Sequence, residues 1–389
     1  MRIKDLIACQ IKGVWGDEPK NDGHDTSVIK TNNMSYEGDI DYSGIVLRSI
    51  SLAKAKDNYL KKGDLLIEKS GGTKTHSVGY VNYFDGKNDT YVCNNFILGI
   101  RPNSQIVDSR FLFWQLRYNY EKGYFKSCAS KTTGIQNLKV NDYLNKEIKF
   151  IGSMAKQSLI AKQLDSVNRE INGKKEVINN LDALIKSLFV EMFVLYLKDN
   201  SNQIQLSECS TFIDYMGKTP EKSNAGIRLL TAKNIRMHYI NLEPQEFVSK
   251  NVYLEFMTRG FPKPGDLLFS TEAPLGNVCV IPDFQERFCV GQRLITIVPD
   301  GRINSRYLEF YISSDYFQDK IWRNSSGSTV KGIKSKLLAK MPISIPPIEL
   351  QNKFASIVSL IDKSGFVVRK EIKALQELLD KKMDEYFRD

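Results

Sequence analysis

Residues 69–76, Lys-Ser-Gly-Gly-Thr-Lys-Thr-His, form a polar, glycine-rich stretch after a short apolar run with strand character. The lysines, the hydroxyls and the backbone N–H groups beside the glycines are donors of the kind that contact phosphate oxygens in nucleic acids. The alternative is a turn that only faces solvent. The residues of this loop that we predict to contact DNA are Lys69, Ser70, Thr73, Lys74 and Thr75.

Further polar residues could position or read DNA. Arg pairs bidentately with guanine edges and Asn or Gln with adenine edges, whereas Lys mostly binds phosphate. The candidates for reading bases are Asn234, Arg236, Gln292 and Arg293. The candidates for positioning DNA are Arg48, Lys54, Lys131, Thr132, Lys218, Thr219, Lys233, Thr271 and Lys331. For each of them, a role in the framework of the fold stays open as the alternative.

Catalytic motifs are missing from the sequence. An amino-methyltransferase needs Asn/Asp-Pro-Pro-aromatic, but the one Pro-Pro pair stands in Ile345-Pro346-Pro347-Ile348. Neither a Walker loop, nor G-x-G-x-x-G, nor H-E-x-x-H occurs. The three histidines are solitary, and the six cysteines form no C-x-x-C pair. We therefore expect no catalytic residue, no metal site and no cofactor bound by this chain.

Composition indicates an ordinary globular protein with a polyanionic partner. The 389 residues are 42% hydrophobic and 26% charged, and 55 Lys and Arg against 45 Asp and Glu give a net charge of +10. Such a charge favours nucleic-acid binding. The N-terminal residues do not resemble a signal peptide, and no apolar run approaches the ~20 residues that span a bilayer. We expect a cytoplasmic protein with reduced cysteines and no membrane contact.

Two related apolar stretches in the sequence indicate the helices that position the predicted DNA-contacting residues. LDALIKSLFVEMF (181–193) and LQELLDKKMDEYF (375–387) share residues at an offset of 194. Each continues a heptad pattern typical of a long helix that pairs with another helix. In the first helix the predicted seam is Ile160, Leu164, Val167, Ile171, Ile178, Leu181, Ile185, Leu188, Met192 and Leu195. Two separate helices, each packed on its own domain, are the alternative.

The segments before the helices also repeat, with shifted spacing. KGDLLIEKS (62–70) is similar to PGDLLFSTE (264–272), SRFL (109–112) to SRYL (305–308), and TTGIQNL (132–138) to TVKGIKSKL (329–337). Strand and turn signals in both segments predict an α+β fold. Loops of unequal content are where duplicated domains acquire different ligands. We expect the two halves to read different bases.

In this order of domain, helix, domain, helix, the whole chain resembles the specificity subunit of type I restriction-modification enzymes. The motifs that carry the resemblance are Gly63-Asp64-Leu65-Leu66 with Lys69-Ser70-Gly71-Gly72, Gly265-Asp266-Leu267-Leu268-Phe269-Ser270 with Ala273-Pro274-Leu275-Gly276, Gly217-Lys218-Thr219-Pro220, and Pro346-Pro347-Ile348-Glu349-Leu350-Gln351. A Pro-Pro pair is absent before the first helix, at Ile151-Gly152-Ser153-Met154.

The resemblance implies two mixed α/β target recognition domains, related by pseudo-twofold symmetry and separated by two long helices in an antiparallel coiled coil. The expected domains are 1–152 and 199–345, and the expected spacer helices are 153–198 and 346–389. Each domain would read one half of a bipartite target on double-stranded DNA.

The same resemblance implies partners that do the chemistry. Two DNA methyltransferase subunits and the restriction-translocase subunits would join this chain. S-adenosylmethionine, ATP and Mg²⁺ are expected on those partners. We predict that Phe189, Phe193 and Phe387, which fall beside the heptad seam, bind a partner.

Two other functions remain open from the residues alone. The chain could be a stand-alone or fused restriction endonuclease with unrecognised catalytic residues. It could also be a coiled-coil scaffold that binds proteins through its two domains. Steeply salt-dependent DNA binding would separate the scaffold from a DNA-reading subunit.

Overall fold

The chain separates into two compact units in the computed structural model. Unit 1 contains Met1–Lys175 together with Lys370–Asp389, and unit 2 contains Glu176–Arg369. Each long helix therefore contributes residues to both units. The described residues are 1–20, 25–73, 75–132, 134–198, 203–215, 219–284 and 286–388.

Unit 1 is built on three small sheets. One has the order β1-β8-β4-β6 and is antiparallel, one has the order β3-β2-β7 with a parallel β2-β7 pair, and one has the order β5-β10-β9. The elements in chain order are β1 (Ile7–Ile11), β2 (Asp25–Ile29), β3 (Val46–Ser49), α1 (Leu52–Lys56), β4 (Leu65–Glu68), β5 (Ser70–Gly71), β6 (Val81–Tyr83), β7 (Tyr91–Cys93), β8 (Ile97–Pro102), α2 (Ser109–Glu121), β9 (Ala129–Thr132), β10 (Ile135–Leu138), α3 (Val140–Leu144) and the long helix α4 (Met154–Lys198).

Unit 2 repeats two of these sheets. The order β12-β21-β18-β19 matches β1-β8-β4-β6, and the order β13-β17-β14-β20 again contains one parallel pair, β14-β20. Two-stranded sheets join β11 to β22 and β15 to β16. The elements are β11 (Gln203–Gln205), β12 (Ser210–Asp214), β13 (Lys222–Ser223), β14 (Ile227–Leu230), β15 (Ile235–Arg236), β16 (Tyr239–Ile240), β17 (Phe247–Val248), α5 (Lys250–Phe256), β18 (Leu267–Ser270), β19 (Val278–Val280), β20 (Phe288–Val290), β21 (Leu294–Pro299), α6 (Ser305–Ser313), α7 (Asp315–Arg323), α8 (Ser335–Ala339), β22 (Pro342–Ser344) and the second long helix α9 (Ile348–Phe387).

The repeated Gly-Asp-Leu-Leu motif forms the same turn in both units. Asp64 accepts the Lys61 N–H at 2.7 Å, and Asp266 accepts the Lys263 N–H at 2.8 Å. The glycine before each aspartate has a positive φ, which an L side chain rarely adopts. The turn then delivers β4 and β18 to the centre of matching sheets. The predicted α+β class with two related mixed domains is confirmed.

In unit 1, the first half of α4 packs antiparallel against the end of α9. The Tyr386 hydroxyl donates to Gln163, and Lys174 pairs with Glu371 at 2.8 Å. As the residue number rises along α4, the number of the contacting residue in α9 falls, which shows that the two helices are antiparallel. The apolar residues buried in this part of the core are Ile160, Leu164, Ile171, Leu379, Met383 and Phe387.

In unit 2, the end of α4 packs against the start of α9. The rings of Phe189 and Phe193 each lie 5.5 Å from the ring of Phe354, between centroids. Pairing of the two predicted seams is thus confirmed within each unit. None of the helices in the described part of the chain is both long and apolar enough to cross a membrane.

The predicted seam is wrong at the end of α4. Phe189 and Phe193 are buried, whereas Leu195 is 78% exposed. Ile185, Phe189 and Phe193 are buried in steps of four, and the predicted residues Leu188 and Met192 are partly buried beside them, so that only Leu195 leaves the core. The reason is that a helix has 3.6 residues per turn, so a strict seven-residue pattern drifts around it.

The prediction that Phe189, Phe193 and Phe387 bind a partner is contradicted by their packing. Phe189 and Phe193 lie in the core of unit 2, and Phe387 lies in the core of unit 1 against Phe111 and Tyr118. All three rings are covered by their own chain, so they offer no free surface. A partner must use other residues.

A buried glutamine ties each domain to its long helix. The side-chain oxygen of Gln157 accepts the N–H of Asp108, which caps α2, while its amide donates to two backbone carbonyls. Gln351 does the same for Asn304, which caps α6. Both glutamines are fully buried and stand 194 residues apart. Burial of an amide is tolerated only when its hydrogen bonds are made, so these contacts fix the domain-helix junction.

Candidate nucleic-acid interface

The loop that follows β4 in unit 1 is fixed at its start. The Lys69 N–H donates to the Phe96 carbonyl at 2.8 Å, and the Leu138 N–H donates to the Lys69 carbonyl at 2.8 Å. The Ser70 hydroxyl donates to the side-chain oxygen of Asn137 at 2.7 Å. The predicted residues Lys69 and Ser70 therefore stand between the turn after β7 and strand β10.

Beyond Gly72 the same loop reaches solvent. Thr73 and Thr75 are exposed, and the Thr73 hydroxyl oxygen accepts the N–H groups of Thr75 and His76 at 3.3 and 3.0 Å. The His76 ring stacks on Tyr36, with centroids 3.8 Å apart. Lys74 lies outside the described residues. The exposed hydroxyls and the ordered turn are compatible with phosphate contact.

Unit 2 forms the same junction with different side chains. The Thr271 N–H donates to the Arg293 carbonyl at 3.0 Å, and the Ile333 N–H donates to the Thr271 carbonyl at 3.0 Å. Thr271 is thus the counterpart of Lys69, and Ile333 is the counterpart of Leu138.

The equivalence inferred between residues 132–138 and 329–337 is wrong in register. In the structure Gly332, which bridges to Glu272, matches Asn137, which pairs with Ser70. Lys331 therefore corresponds to Gln136, and Gly332 corresponds to Asn137 rather than to Gly134. The reason is that unit 1 enters this strand through the β9-β10 hairpin, whereas unit 2 enters it through a turn closed by a Ser326–Gly332 bridge. Lys131 and Thr132 pair through their backbone within that hairpin.

Two cavities in unit 2 gather most of its predicted residues. A cavity of about 430 Å³ is lined by Thr271, Glu272, Gln292, Arg293 and parts of residues 326–335, the stretch that contains exposed Lys331. A second, of about 260 Å³, shares Gln292 and Arg293 and adds Thr219 and Lys233. The Arg293 Nε lies 2.5 Å from Glu272 Oε1. A guanidinium held by its Nε keeps its outer edge available for a planar, bidentate acceptor.

Asn234 and Arg236 do not join this site. Asn234 is 1% exposed; its side-chain oxygen accepts the Thr231 N–H, and its amide donates to the carbonyls of Asn241 and Pro244. The prediction that Asn234 reads a base is therefore wrong, because its polar groups close a turn. The Arg236 guanidinium donates to the carbonyls of Lys233 and Ile235, so it is partly engaged by the backbone.

The remaining candidates are dispersed. Arg48 lies over the Trp15 ring at 4.4 Å and pairs with Glu18, and Lys54 is exposed on α1. Lys218 lies outside the described residues. Within the described residues, no hydrogen bond or ion pair connects Arg48 or Lys54 to the loop at 69–76, and their contact with DNA stays a prediction.

Sequence reasoning missed two residues at the junction in unit 1. Asn95 and Phe96 are exposed on the turn between β7 and β8, and Phe96 is 54% exposed although it is a large apolar residue. The signal was an aromatic residue in an Asn-Asn-Phe turn between two strands. An aromatic residue of that kind is usually read as part of the core.

The helix pair in unit 2 also has an exposed apolar stripe that the sequence reading did not separate from the seam. Two of its members precede the seam residues Ile178 and Ile185 of α4 by one position, and the other two precede the seam residues Ile361 and Val368 of α9 by one position. This spacing places all four on one face of an antiparallel pair. They are between 44% and 64% exposed. The residues of this helix stripe are Val177, Leu184, Leu360 and Val367.

Comparison with known proteins agrees with this duplicated architecture. The family model described as type I restriction modification DNA specificity domain matches residues 1–182 and again 200–377. A protein of Methanocaldococcus jannaschii named as the MjaX specificity subunit of a type I restriction enzyme is 25% identical over 342 residues, which cover 83% of this chain and 77% of that protein. The MjaVIII specificity subunit of the same organism is 21% identical over 313 residues, covering 75% of this chain and 72% of the relative.

Solved structures share the fold. The crystal structure of a type I restriction-modification S subunit from M. genitalium has a TM-score of 0.59 at 18% identity, covering all of this chain and 96% of the other. A chain from a study of complex assembly and conformational transition in the type I system has a TM-score of 0.52 at 17% identity, with 99% and 96% covered. Since the family model matches most of the sequence, once in each half, this chain belongs to the type I restriction modification DNA specificity family.

Proposed function

We propose that this chain is the DNA-recognition subunit of a type I restriction-modification complex, in which each unit reads one half of a bipartite target. The observation that carries the proposal is the duplicated junction: Lys69 and Thr271 are held by the same backbone contacts, yet different side chains surround them. A repeated frame with unlike exposed residues is suited to two different half-sites. The excess of basic residues supplies attraction to the DNA backbone.

The long helices would set the distance between the half-sites. Helix α4 has 45 residues and α9 has 40, which correspond to roughly 68 and 60 Å at about 1.5 Å per residue. One turn of B-DNA is roughly 34 Å. Helices of this length can separate two readers by about one turn of DNA or more.

The partners that this function requires would supply the chemistry. We propose that methyltransferase subunits carry S-adenosylmethionine and that restriction-translocase subunits carry ATP and Mg²⁺, while this chain acts without catalysis. The helix stripe (Val177, Leu184, Leu360 and Val367) is the surface that we propose for a methyltransferase subunit. It is apolar, exposed and formed by both helices of unit 2.

Lengthening the helices tests the recognition proposal. Seven residues of helical sequence inserted between Lys175 and Glu176 and seven more between Arg369 and Lys370 leave each unit intact. In cells that carry the chain with its methyltransferase, we expect long-read methylation profiling to show an unchanged pair of half-sites with a wider gap between them. An unchanged gap would contradict the role of the helices, and a wild-type chain that directs no sequence-specific methylation would contradict the function itself.

Introducing a charge into the helix stripe tests the partner surface. Leu184→Glu should abolish copurification of the methyltransferase subunit without loss of thermal stability, because Leu184 is exposed. Leu195→Glu is the matched control, since Leu195 is an exposed leucine of the same helix outside the stripe. Equal copurification by the two variants would exclude the stripe as the docking surface.

A further inference from the structure

The turn between β7 and β8 has a backbone counterpart between β20 and β21. The Asn94 N–H donates to the Ile29 carbonyl at 2.9 Å, and the Gly291 N–H donates to the Leu230 carbonyl at 2.8 Å. At the far side of the turn, the Ile97 N–H donates to the Asn94 carbonyl, and the Leu294 N–H donates to the Gly291 carbonyl, each at 3.1 Å. The contacts of Phe96 with Lys69 and of Arg293 with Thr271 complete the match.

This match assigns equivalent positions that sequence similarity does not reveal. Asn95 corresponds to Gln292, and Phe96 corresponds to Arg293. The first position keeps a carboxamide in both units. The second position holds an apolar ring in unit 1 and a guanidinium in unit 2.

The backbone of each turn is held while its side chains are left available. Within the described residues, the side chains of Asn95 and Gln292 make no hydrogen bond, and Phe96 stacks on no other ring. Arg293 has one ion pair, through its Nε to Glu272. A fixed backbone with uncommitted side chains suits a recognition site, because the backbone need not be ordered on binding.

The chemistry of the second position differs between the units in a way that base pairs distinguish. The outer edge of an arginine donates two parallel hydrogen bonds to guanine O6 and N7, whereas an apolar side chain contacts the thymine methyl group. A carboxamide pairs bidentately with adenine. The large cavity beside Arg293, of about 430 Å³, leaves room for an approaching base edge.

We propose that Phe96 and Arg293 occupy one specificity-determining position, at which unit 1 reads a thymine through its methyl group and unit 2 reads a guanine. The carboxamide before each of them, Asn95 or Gln292, reads an adjacent adenine in both half-sites. This inference rests on the proposed function and adds the residues and base types through which each half-site is read.

Single substitutions followed by methylation profiling test the assignment, with the complete complex in cells. Arg293→Ala should lower discrimination at one guanine position on the order of ten- to a hundredfold and leave the other half-site unchanged. Phe96→Ala should relax one thymine position in the opposite half-site. Arg293→Lys keeps the charge and loses the bidentate edge, so it should relax the same guanine position as Arg293→Ala.

A gain of specificity is the sharper outcome. Phe96→Arg should convert the thymine position to guanine, a result that loss of folding cannot produce. The control for Arg293 is Lys334→Ala, because Lys334 lines the same cavity and should weaken methylation uniformly across sequences. The control for Phe96 is Leu159→Ala, an exposed apolar residue on α4.

The outcomes separate this inference from the function on which it rests. If the wild-type complex methylates a bipartite target and the Phe96 and Arg293 variants keep that target unchanged, the assignment is wrong and the function stands. Uniform loss of methylation in Arg293→Lys, without change of the target, also overturns the assignment. A wild-type complex without a bipartite target overturns both.

Discussion

Units 1 and 2 differ least where they are buried and most where they are exposed. Gln157 and Gln351 make the same three contacts, and the aspartates of the Gly-Asp-Leu-Leu turns accept the same N–H group. The loops on this frame carry a lysine and a phenylalanine in one unit and a threonine and an arginine in the other. The repeated part is thus the part that satisfies buried polar groups, and the exposed part is free to change its ligand.

One repeated motif has nevertheless changed its environment inside the protein. Arg110 and Arg306 stand at the same position of the repeated Ser-Arg motif, and each reaches an aspartate on a long helix. Arg110 lies over the Phe113 ring at 4.6 Å, whereas Arg306 pairs at 2.8 Å with Glu309, the fully buried residue at the position of Phe113. Removal of the arginine should therefore have unequal effects.

The largest expected effect is that of Arg306→Ala. It leaves the Glu309 carboxylate buried without its cation and should lower the free energy of unfolding of unit 2 by about 3–5 kcal/mol. Arg110→Ala removes a stacked, partly exposed arginine and should cost about 1–2 kcal/mol in unit 1. Urea unfolding with hydrogen exchange assigns each loss to its unit, and adding Glu309→Gln to Arg306→Ala should recover part of the stability. Equal losses of unfolding free energy would show that the buried Glu309 does not make the two arginines differ in their contribution to stability.

The next largest loss of stability is expected from removing the buried glutamine at either domain-helix junction, and it should be the same in both units. Gln157→Ala and Gln351→Ala each orphan one N–H group and two carbonyls at a buried junction, at a cost of about 2–3 kcal/mol. Unfolding followed in urea should give losses that agree to within about 1 kcal/mol. A loss confined to one variant would show that the junctions are not energetically equivalent. Gln376→Ala, which removes an exposed glutamine of α9, is the control and should leave the stability unchanged.

The smallest effect concerns Glu68, whose counterpart is Ser270. Burial raises the pKa of the Glu68 carboxyl above its ordinary value of 4.5, and a hydrogen bond from the Gly72 N–H opposes this only in part. Because the folded pKa exceeds the unfolded one, wild-type stability falls as the pH rises from about 4.5 through the folded pKa. Glu68→Gln should match the wild type near pH 4 and be more stable than the wild type near neutrality.

The measurement for Glu68 is thermal unfolding of both proteins between pH 4 and 8. Ser270→Ala is the control, because the Ser270 hydroxyl is neutral, donates to the Pro274 carbonyl and accepts the Asn277 N–H. Its cost should not depend on pH. A pH-independent difference for Glu68→Gln would exclude the buried charge as the cause.

The duplication and the long helices could be predicted from the sequence because both leave periodic or repeated patterns. The phase at Phe189 and Phe193 could not, since a heptad template cannot show where a helix departs from it. Asn234 was misread because a carboxamide that closes a turn has the same sequence signature as one that faces a base. Phe96 was missed because only the backbone contacts of its turn reveal that it corresponds to Arg293.

The composition of unit 1 has a consequence for how the protein is made. Its core includes Leu379, Met383 and Phe387, while unit 2 is one continuous stretch ending at Arg369. During synthesis from the N-terminus, unit 1 is begun first but cannot be completed until residues 370–388 have been made. All residues of unit 2 have been made before that point. The half begun first should then stay open until the last turns of α9 have left the ribosome, a departure from the usual N-to-C order of domain folding.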